Sequence, residues 1–181
     1  TVEVKQTRNH FAFGSALRRS AMYDERYTKF FKENFEWAVF ENEAKWYHTE
    51  TSRGNVNYTD ADYMYEWCKE NDIIVRGHCI FWEVEDYVPS WVRSLSNTEL
   101  KKAIDDRLES VVPHFRGKFV DWDVNNEMLH GSFFKDRLGQ DIWLYMFNRT
   151  KELDPDTKLF VNDYNIITEA ETDAYVQQIN W

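Results

Sequence analysis

The sequence predicts an α/β fold built on a parallel sheet. Segments of strand type alternate with segments of helical periodicity, which is the pattern of βα-repeating proteins. The strand segments are almost continuously apolar, as expected of parallel strands that are covered on both faces. Polar side chains follow these strands at their C-terminal ends, which form the edge where α/β folds bind ligands.

The first three strands and the first clear helix lie in the N-terminal half. FAFGSAL (11–17) is a short apolar run, and FEWAVFEN (35–42) reads as a strand that ends on polar residues. IIVRGHCIFW (73–82) is a third strand, because it is β-branched and almost uniformly apolar. Residues 59–71 have helical periodicity. Four side chains of this helix share one face: Tyr63, Met64, Trp67 and Cys68.

A second helix and the fourth strand follow. Ser96 and Glu99 form a capping-box pattern, which marks the start of a helix. Apolar residues then recur at helical spacing: Leu100, Ala103, Ile104, Leu108, Val111 and Val112. KFVDWDVNN (118–126) is the fourth strand.

The last predicted elements bring the number of strands to five. Residues 141–153 form an aromatic helix that ends before Pro155, since the residue that precedes a proline rarely stays helical. KLFVNDYN (158–165) is the fifth strand, and a second capping box at 168–171 opens a last helix. A closed (β/α)₈ barrel takes eight such units and about 250 residues, so five strands would form only part of one.

Composition and charge exclude several classes of function. The net charge is −10 without any run of Lys or Arg, so nucleic acid and membrane surfaces are not expected partners. No Gly-rich loop follows a strand, which disfavours nucleotide binding. Aromatic residues make up 17% of the 181 residues. Core packing accounts for most of them, but Trp and Tyr also stack on sugars, so an acidic, tryptophan-rich chain makes carbohydrate a candidate ligand.

Other chemistry has little support in the sequence. Cys68 and Cys79 are predicted to be buried free thiols, because two cysteines give no disulfide framework. No histidines show metal-ligand spacing, and Asp121 and Asp123 are as suited to hydrogen bonding as to chelation. The chain begins TVEV, without Met and without an apolar signal segment, so we expect a processed or truncated chain.

Five motifs together resemble the catalytic barrel of glycoside hydrolase family 10 xylanases, in particular their plant-like branch. They occur in the order and at the spacings of that family: ENEAKW (41–46), VRGHCIFWE (75–83), VPSWV (88–92), WDVNNEMLH (122–130) and LFVNDYN (159–165). The resemblance implies a (β/α)₈ TIM barrel. Residues 1–181 would form the N-terminal part of that single catalytic domain, from the first strand to about the fifth helix.

The resemblance also implies roles for particular side chains. Glu127 would be the general acid/base, and Asn126 would bind the 2-hydroxyl of the sugar that is cleaved. The other implied residues contact substrate: Glu41, Asn42, Lys45, His78, Trp82, Tyr164 and Asn165. Without the resemblance, Glu127 would be read as a solvated strand-end residue, 41–45 as a salt-bridged turn and His78 as a core residue. Strict strand alternation separates Asn126 from Glu127, so we expect the strand to end or bulge there.

The sequence departs from the family at two places. It has Glu83 where many members have His, and Tyr87-Val88-Pro89 where they have Gln-Leu-Pro. The family nucleophile is a Glu at the end of the seventh strand, and neither Glu169 nor Glu171 matches it. We therefore expect the nucleophile to come from a C-terminal part that is absent from this chain.

Two functional hypotheses follow from the resemblance. The first is a secreted, extracellular endo-β-1,4-xylanase of the retaining type that acts on xylan or xylo-oligosaccharides. It would need no cofactor or metal and would be completed by a complementary C-terminal barrel fragment or second chain. The second is an incomplete barrel that binds xylan, or takes part in assembly, without cutting it.

Overall fold

Five parallel strands form one sheet in the computed structural model, which describes residues 2, 11–167 and 172–180. All five predicted strands are confirmed, with these bounds: β1 Gly14–Leu17, β2 Trp37–Phe40, β3 Ile74–Trp82, β4 Phe119–Asn126 and β5 Lys158–Asn162. Their order in the sheet, β1-β2-β3-β4-β5, is their order in the sequence. A doubly wound sheet reverses its strand order at a switch point, so this topology is that of a barrel.

Helices connect successive strands, and shorter helices lie in the loops. In chain order they are α1 Glu25–Asn34, α2 Trp46–Thr49, α3 Thr59–Glu70, α4 Ser90–Arg93, α5 Asn97–Phe115, α6 Phe133–Leu138, α7 Asp141–Leu153 and α8 Thr172–Asn180. Two 3₁₀ turns span Arg19–Tyr23 and Glu85–Tyr87. Helices of four to six residues were not predicted, because such short segments show little helical periodicity.

Helix α5 confirms the prediction from its capping box. The Ser96 hydroxyl accepts from the Glu99 N–H at 3.3 Å, and the Glu99 carboxylate accepts from the Ser96 N–H at 3.1 Å. The predicted apolar side chains all lie in the core: Leu100, Ala103, Ile104, Leu108, Val111 and Val112. The helix therefore packs its apolar face against the sheet.

Two predictions about local structure were wrong. Strand β5 ends at Asn162, three residues earlier than predicted, and the chain then turns, with Asn165 in a left-handed conformation at φ of 57°. In helix α3, Met64 and Cys68 are buried, but Tyr63 is 50% exposed and lies outside the core face. The predicted capping box at 168–171 lies outside the described residues.

The sheet is covered unevenly. Side chains of β4 are nearly all buried, whereas three of the four residues of β1 are exposed and no residue of β5 is fully buried. The expectation that every strand is buried on both faces therefore fails at the two edges. Both edge strands have a single neighbour within the described part of the chain.

Cys68 and Cys79 are both buried and unpaired, as predicted. Burial raises the pKa of each thiol to about 12, so both stay protonated at neutral pH. No described helix is long and apolar enough to cross a membrane.

Candidate active site

The C-terminal ends of the strands meet at one edge of the sheet. Trp82 on β3 pairs with Asn126 on β4, which in turn pairs with Asn162 on β5. Near the opposite edge strand, Leu17 on β1 pairs with Phe40 on β2. The polar residues that follow these positions are therefore brought to a common rim, as the parallel arrangement requires.

Glu127 is placed on this rim by a break in strand β4. The strand ends at Asn126, and Glu127 has φ of 57°, so the predicted end or bulge is confirmed. Its backbone N–H donates to the Asn162 carbonyl at 2.9 Å. The Trp82 indole N–H donates to the Glu127 carboxylate at 2.7 Å, which fixes the orientation of that carboxyl group.

Besides Glu127, Trp82 contacts a second charged side chain, Lys45, and a second aromatic ring, Tyr87. The Lys45 ammonium lies 4.4 Å from the centroid of the Trp82 ring, a cation–π contact. Tyr87 stacks on the same indole with ring centroids 3.9 Å apart. Burial is the main cause that lowers the pKa of Lys45, and the nearby negative charge of Glu127 acts in the opposite direction. The Lys45 ammonium and the Glu127 carboxyl group therefore both contact the Trp82 indole.

Asn126 and His78 are both held by neighbouring side chains. The Asn126 side-chain oxygen accepts from the Asn162 amide at 2.8 Å. The Asp123 carboxylate lies 2.9 Å from His78 Nδ1 and also accepts from the Arg76 guanidinium. A carboxylate at Nδ1 favours a proton on that nitrogen, which leaves Nε2 for another partner.

The sequence left two interpretations of the segment after β2, a salt-bridged turn or a set of substrate contacts, and the structure has features of each. Glu41 forms an ion pair with Arg18 at 3.4 Å, as in a salt-bridged turn. The Asn42 side-chain oxygen accepts from the Tyr47 hydroxyl at 2.6 Å, and its backbone N–H donates to buried Glu43 at 3.0 Å. Glu41 stays partly exposed on the rim, so a ligand can reach its carboxylate.

Tyr164 and Asn165 lie in the turn after β5. Tyr164 stacks on His130, with ring centroids 3.7 Å apart, and His130 belongs to the loop that follows Glu127. The buried Asp163 carboxylate joins the two segments, since it contacts His130 Nδ1 at 2.5 Å and accepts from the Leu129 N–H at 2.8 Å. The turn after β5 is thus bound to the loop after β4.

Glu83, which departs from the family pattern, has no access to solvent. Its carboxylate accepts from the Asn125 amide at 2.6 Å and from the Lys135 N–H at 2.9 Å. A Cβ on Gly131 would lie 2.4 Å from the Glu83 backbone, so glycine is required there for the loop to approach β3. Glu83 therefore braces the loop after Glu127 and cannot itself reach a substrate.

The burial of Glu83 predicts a specific pH dependence of stability. Burial raises the pKa of Glu83 above its usual value of 4.5, so the folded state holds this proton more tightly than the unfolded state. The free energy of unfolding should therefore fall as pH rises from about 4.5 through the raised pKa, and this contribution should be absent in Glu83→Gln. Urea unfolding between about pH 4 and pH 8 measures the difference in slope.

Exposed Glu70 on helix α3 supplies the matched control. Glu70→Gln makes the same chemical change and should keep the wild-type slope. If Glu83→Gln also keeps the wild-type slope, burial of this carboxyl group does not affect stability in that pH range.

The structure brings four of the nine predicted site residues into one connected set. Glu127, Trp82 and Lys45 contact one another in series, and Asn126 adjoins them in strand β4. The catalytic and binding roles themselves stay predictions. Sequence analysis missed four supporting residues: Glu43, Asp123 as a partner of His78, Tyr87 as a partner of Trp82, and Asp163. A carboxylate inside or directly after a predicted strand was the available signal for Asp123 and Asp163.

Comparison with known proteins decides the family. The family model of glycosyl hydrolase family 10 matches residues 3–181. The chain belongs to this family. The partial barrel described above is consequently a segment of the (β/α)₈ barrel of family 10.

Individual relatives of the family 10 chain include proteins of different kinds. Anti-sigma-I factor RsgI6 of Acetivibrio thermocellus is 59% identical over 180 residues, which is 99% of this chain and 24% of that protein. Endo-1,4-beta-xylanase 3 of Arabidopsis thaliana is 53% identical, over 91% of this chain and 22% of that protein. The crystal structure of xylanase 10B from Thermotoga petrophila in complex with xylobiose has a TM-score of 0.78 and 30% identity. The structural match covers 84% of this chain and 50% of the xylanase chain.

The chain thus spans about a quarter of the length of these two curated relatives and half of the solved xylanase.

Proposed function

We propose that the protein is an endo-acting, retaining glycoside hydrolase that cleaves β-1,4-xylosidic bonds in xylan, with Glu127 as its general acid/base. The observation that carries the proposal is the hydrogen bond of 2.7 Å from Trp82 to Glu127 at the C-terminal end of β4. It holds a carboxyl group at a fixed orientation beside an aromatic wall, where a glycosidic oxygen could be protonated. Membership of family 10 supports the same chemistry.

The neighbouring side chains support binding of the sugar on both sides of the bond that is cleaved. Asn126 would donate to the 2-hydroxyl of the reacting sugar, a bond that strengthens in the transition state. The other predicted binding residues would contact hydroxyl groups and ring faces: Glu41, Asn42, Lys45, His78, Trp82, Tyr164 and Asn165. The Thermotoga petrophila relative was crystallised with xylobiose, which supports a xylo-oligosaccharide as ligand.

The second carboxylate is proposed to come from outside these 181 residues. A retaining mechanism needs a nucleophile about 5–5.5 Å from the acid/base, and Glu83 is fully buried and cannot reach a substrate. A strand end in the C-terminal part of the barrel would supply this nucleophile. The exposed residues of β1 and a cavity of about 540 Å³ on the open sheet support a complementary barrel segment as partner.

Product analysis with the full-length protein tests this proposal. Hydrolysis of xylan followed by proton NMR should show the β-anomer of the new reducing end before mutarotation, because retention gives that product. An α-anomer would exclude the retaining mechanism. Absence of any cleavage of xylan and xylo-oligosaccharides would exclude the hydrolase.

A second candidate is a xylan-binding module that does not cleave its ligand. It is favoured by the Acetivibrio thermocellus relative, which is named an anti-sigma-I factor although it is 59% identical to this chain. Under this alternative, xylohexaose would bind with a measurable heat in calorimetry while its length stayed unchanged after prolonged incubation. An extracellular location is proposed for either function, since an insoluble polysaccharide cannot enter the cell.

A further inference from the structure

The loop after β1 and the start of helix α3 together present two exposed tyrosines. Tyr23 is 77% exposed and Tyr63 is 50% exposed. The Arg19 guanidinium contacts both rings, at 4.6 Å from the centroid of Tyr23 and 3.9 Å from that of Tyr63. Such cation–π contacts restrict the rings, so the two aromatic faces are held in position before any ligand arrives.

An ion pair also holds the Arg19 side chain in this position. Its Nε lies 3.6 Å from the Asp60 carboxylate, an ion pair at the N-terminal turn of α3. Within the described residues, the buried Nε and Nη1 atoms of Arg19 make no hydrogen bond. The guanidinium therefore acts through stacking and charge, and its own charge is offset by the ion pair with Asp60.

The two tyrosines are connected to the candidate active site through Glu43. One oxygen of this buried carboxylate accepts from the backbone N–H of Arg19 at 2.8 Å. The other oxygen accepts from the backbone N–H of Asn42 at 3.0 Å. Arg18, the residue next to Arg19, pairs with Glu41. The segment that carries Arg19 is thus held, through Glu43 and Arg18, against the predicted sugar contacts Glu41 and Asn42.

We infer that Tyr23 and Tyr63 form a distal binding platform for the sugar units of a xylan chain that extends outward beyond Glu41 and Asn42. Two exposed tyrosine rings fit a β-1,4-linked sugar chain, because a ring face packs on the sugar and the hydroxyl group reaches its polar edge. The platform rests on the proposed function, since it extends the binding groove of that same site.

Affinity measured against chain length tests the platform. In the full-length protein, xylohexaose should bind more tightly than xylotriose, because only the longer chain reaches the distal surface. Tyr23→Ala and Tyr63→Ala should each weaken xylohexaose binding roughly fivefold, a loss of about 1 kcal/mol, and leave xylotriose binding unchanged. Calorimetry at a temperature where cleavage is slow supplies both affinities.

Two further variants separate a platform from a structural effect. Tyr23→Phe keeps the ring and should keep most of the xylohexaose affinity. Phe30→Ala removes an aromatic ring that is 58% exposed on α1 and should change neither affinity.

Several outcomes would overturn the platform. Equal loss for both ligands would show that the tyrosines act through the central site, and no loss for either would show that the patch does not contact sugar, as expected if it binds a protein instead. A wild-type protein that binds both ligands equally would exclude the platform and leave the proposed function intact. If no xylo-oligosaccharide is bound or cleaved at all, both proposals fail.

Discussion

Glu127→Gln in the full-length protein is expected to lower the rate of xylan hydrolysis by about 10²- to 10⁴-fold, the range for loss of a general acid/base. The amide oxygen of the new side chain can still accept from the Trp82 indole, so the geometry of the site should be preserved. The variant loses the proton that the leaving oxygen requires. Initial rates on xylan and on xylohexaose measure the effect.

A substrate with a good leaving group distinguishes loss of acid catalysis from general damage to the site. An aryl xyloside with an acidic phenol departs without a proton, so the first step should survive in Glu127→Gln. The second step still needs a base, so release of the phenol should show a rapid burst followed by slow turnover. A small anionic nucleophile such as azide should restore turnover, because it attacks the intermediate without a base.

The control for this experiment is Glu70→Gln, the same change at an exposed position near the C-terminal end of α3. It should retain wild-type rates on both substrates. Near-wild-type hydrolysis of xylan by Glu127→Gln would remove Glu127 from the mechanism, and a loss of equal size on xylan and aryl xyloside without a burst would indicate a damaged site instead.

The sequence predicted those parts of the fold that depend on local periodicity. The apolar positions of α5 and the capping box at Ser96 were read correctly because both patterns repeat within a few residues. The end of β5 was placed too late, since Asp163 and Tyr164 form a turn that contacts the distant residue His130. Contacts of that kind leave no trace in the local pattern.

The site was predicted less completely than the fold, and the buried charges show why. Arg107 was not singled out because a charged residue in a helix usually faces solvent. It nevertheless lies three residues after Ile104 and seven after Leu100, on the apolar face of α5, and it is 2% exposed. A charge at an apolar position of the helical repeat was the available signal, and such residues are retained only where they find partners.

Arg107→Met is therefore expected to cause the largest loss of stability among the single changes considered for this chain. The guanidinium donates to the Ala44 carbonyl at 2.8 Å, to the Thr49 hydroxyl oxygen at 2.8 Å and to the Ile80 carbonyl at 3.3 Å. The Thr49 hydroxyl in turn donates to the Lys45 carbonyl at 3.1 Å. One side chain of α5 thus fixes the loop that carries Lys45 against the end of β3.

Methionine fills a similar volume but leaves these buried acceptors without donors where water cannot enter. Each unsatisfied acceptor costs about 1–3 kcal/mol, so the free energy of unfolding should fall by about 3–5 kcal/mol. Arg107→Lys keeps the charge but cannot reach three acceptors at once, and its loss should be intermediate. Urea unfolding of the full-length protein, followed by tryptophan fluorescence, measures all three proteins.

Lys102→Met is the matched control, because Lys102 lies on the same helix but is exposed and pairs with Asp106 at 2.7 Å. Its loss should stay within about 0.5 kcal/mol, the value of a surface ion pair one helical turn apart. If Arg107→Met is as mild as this control, the loop that carries Lys45 is held by packing alone. A large loss in Arg107→Met with a small one in Lys102→Met would instead mean that the rim of the site depends on a cation buried beneath it.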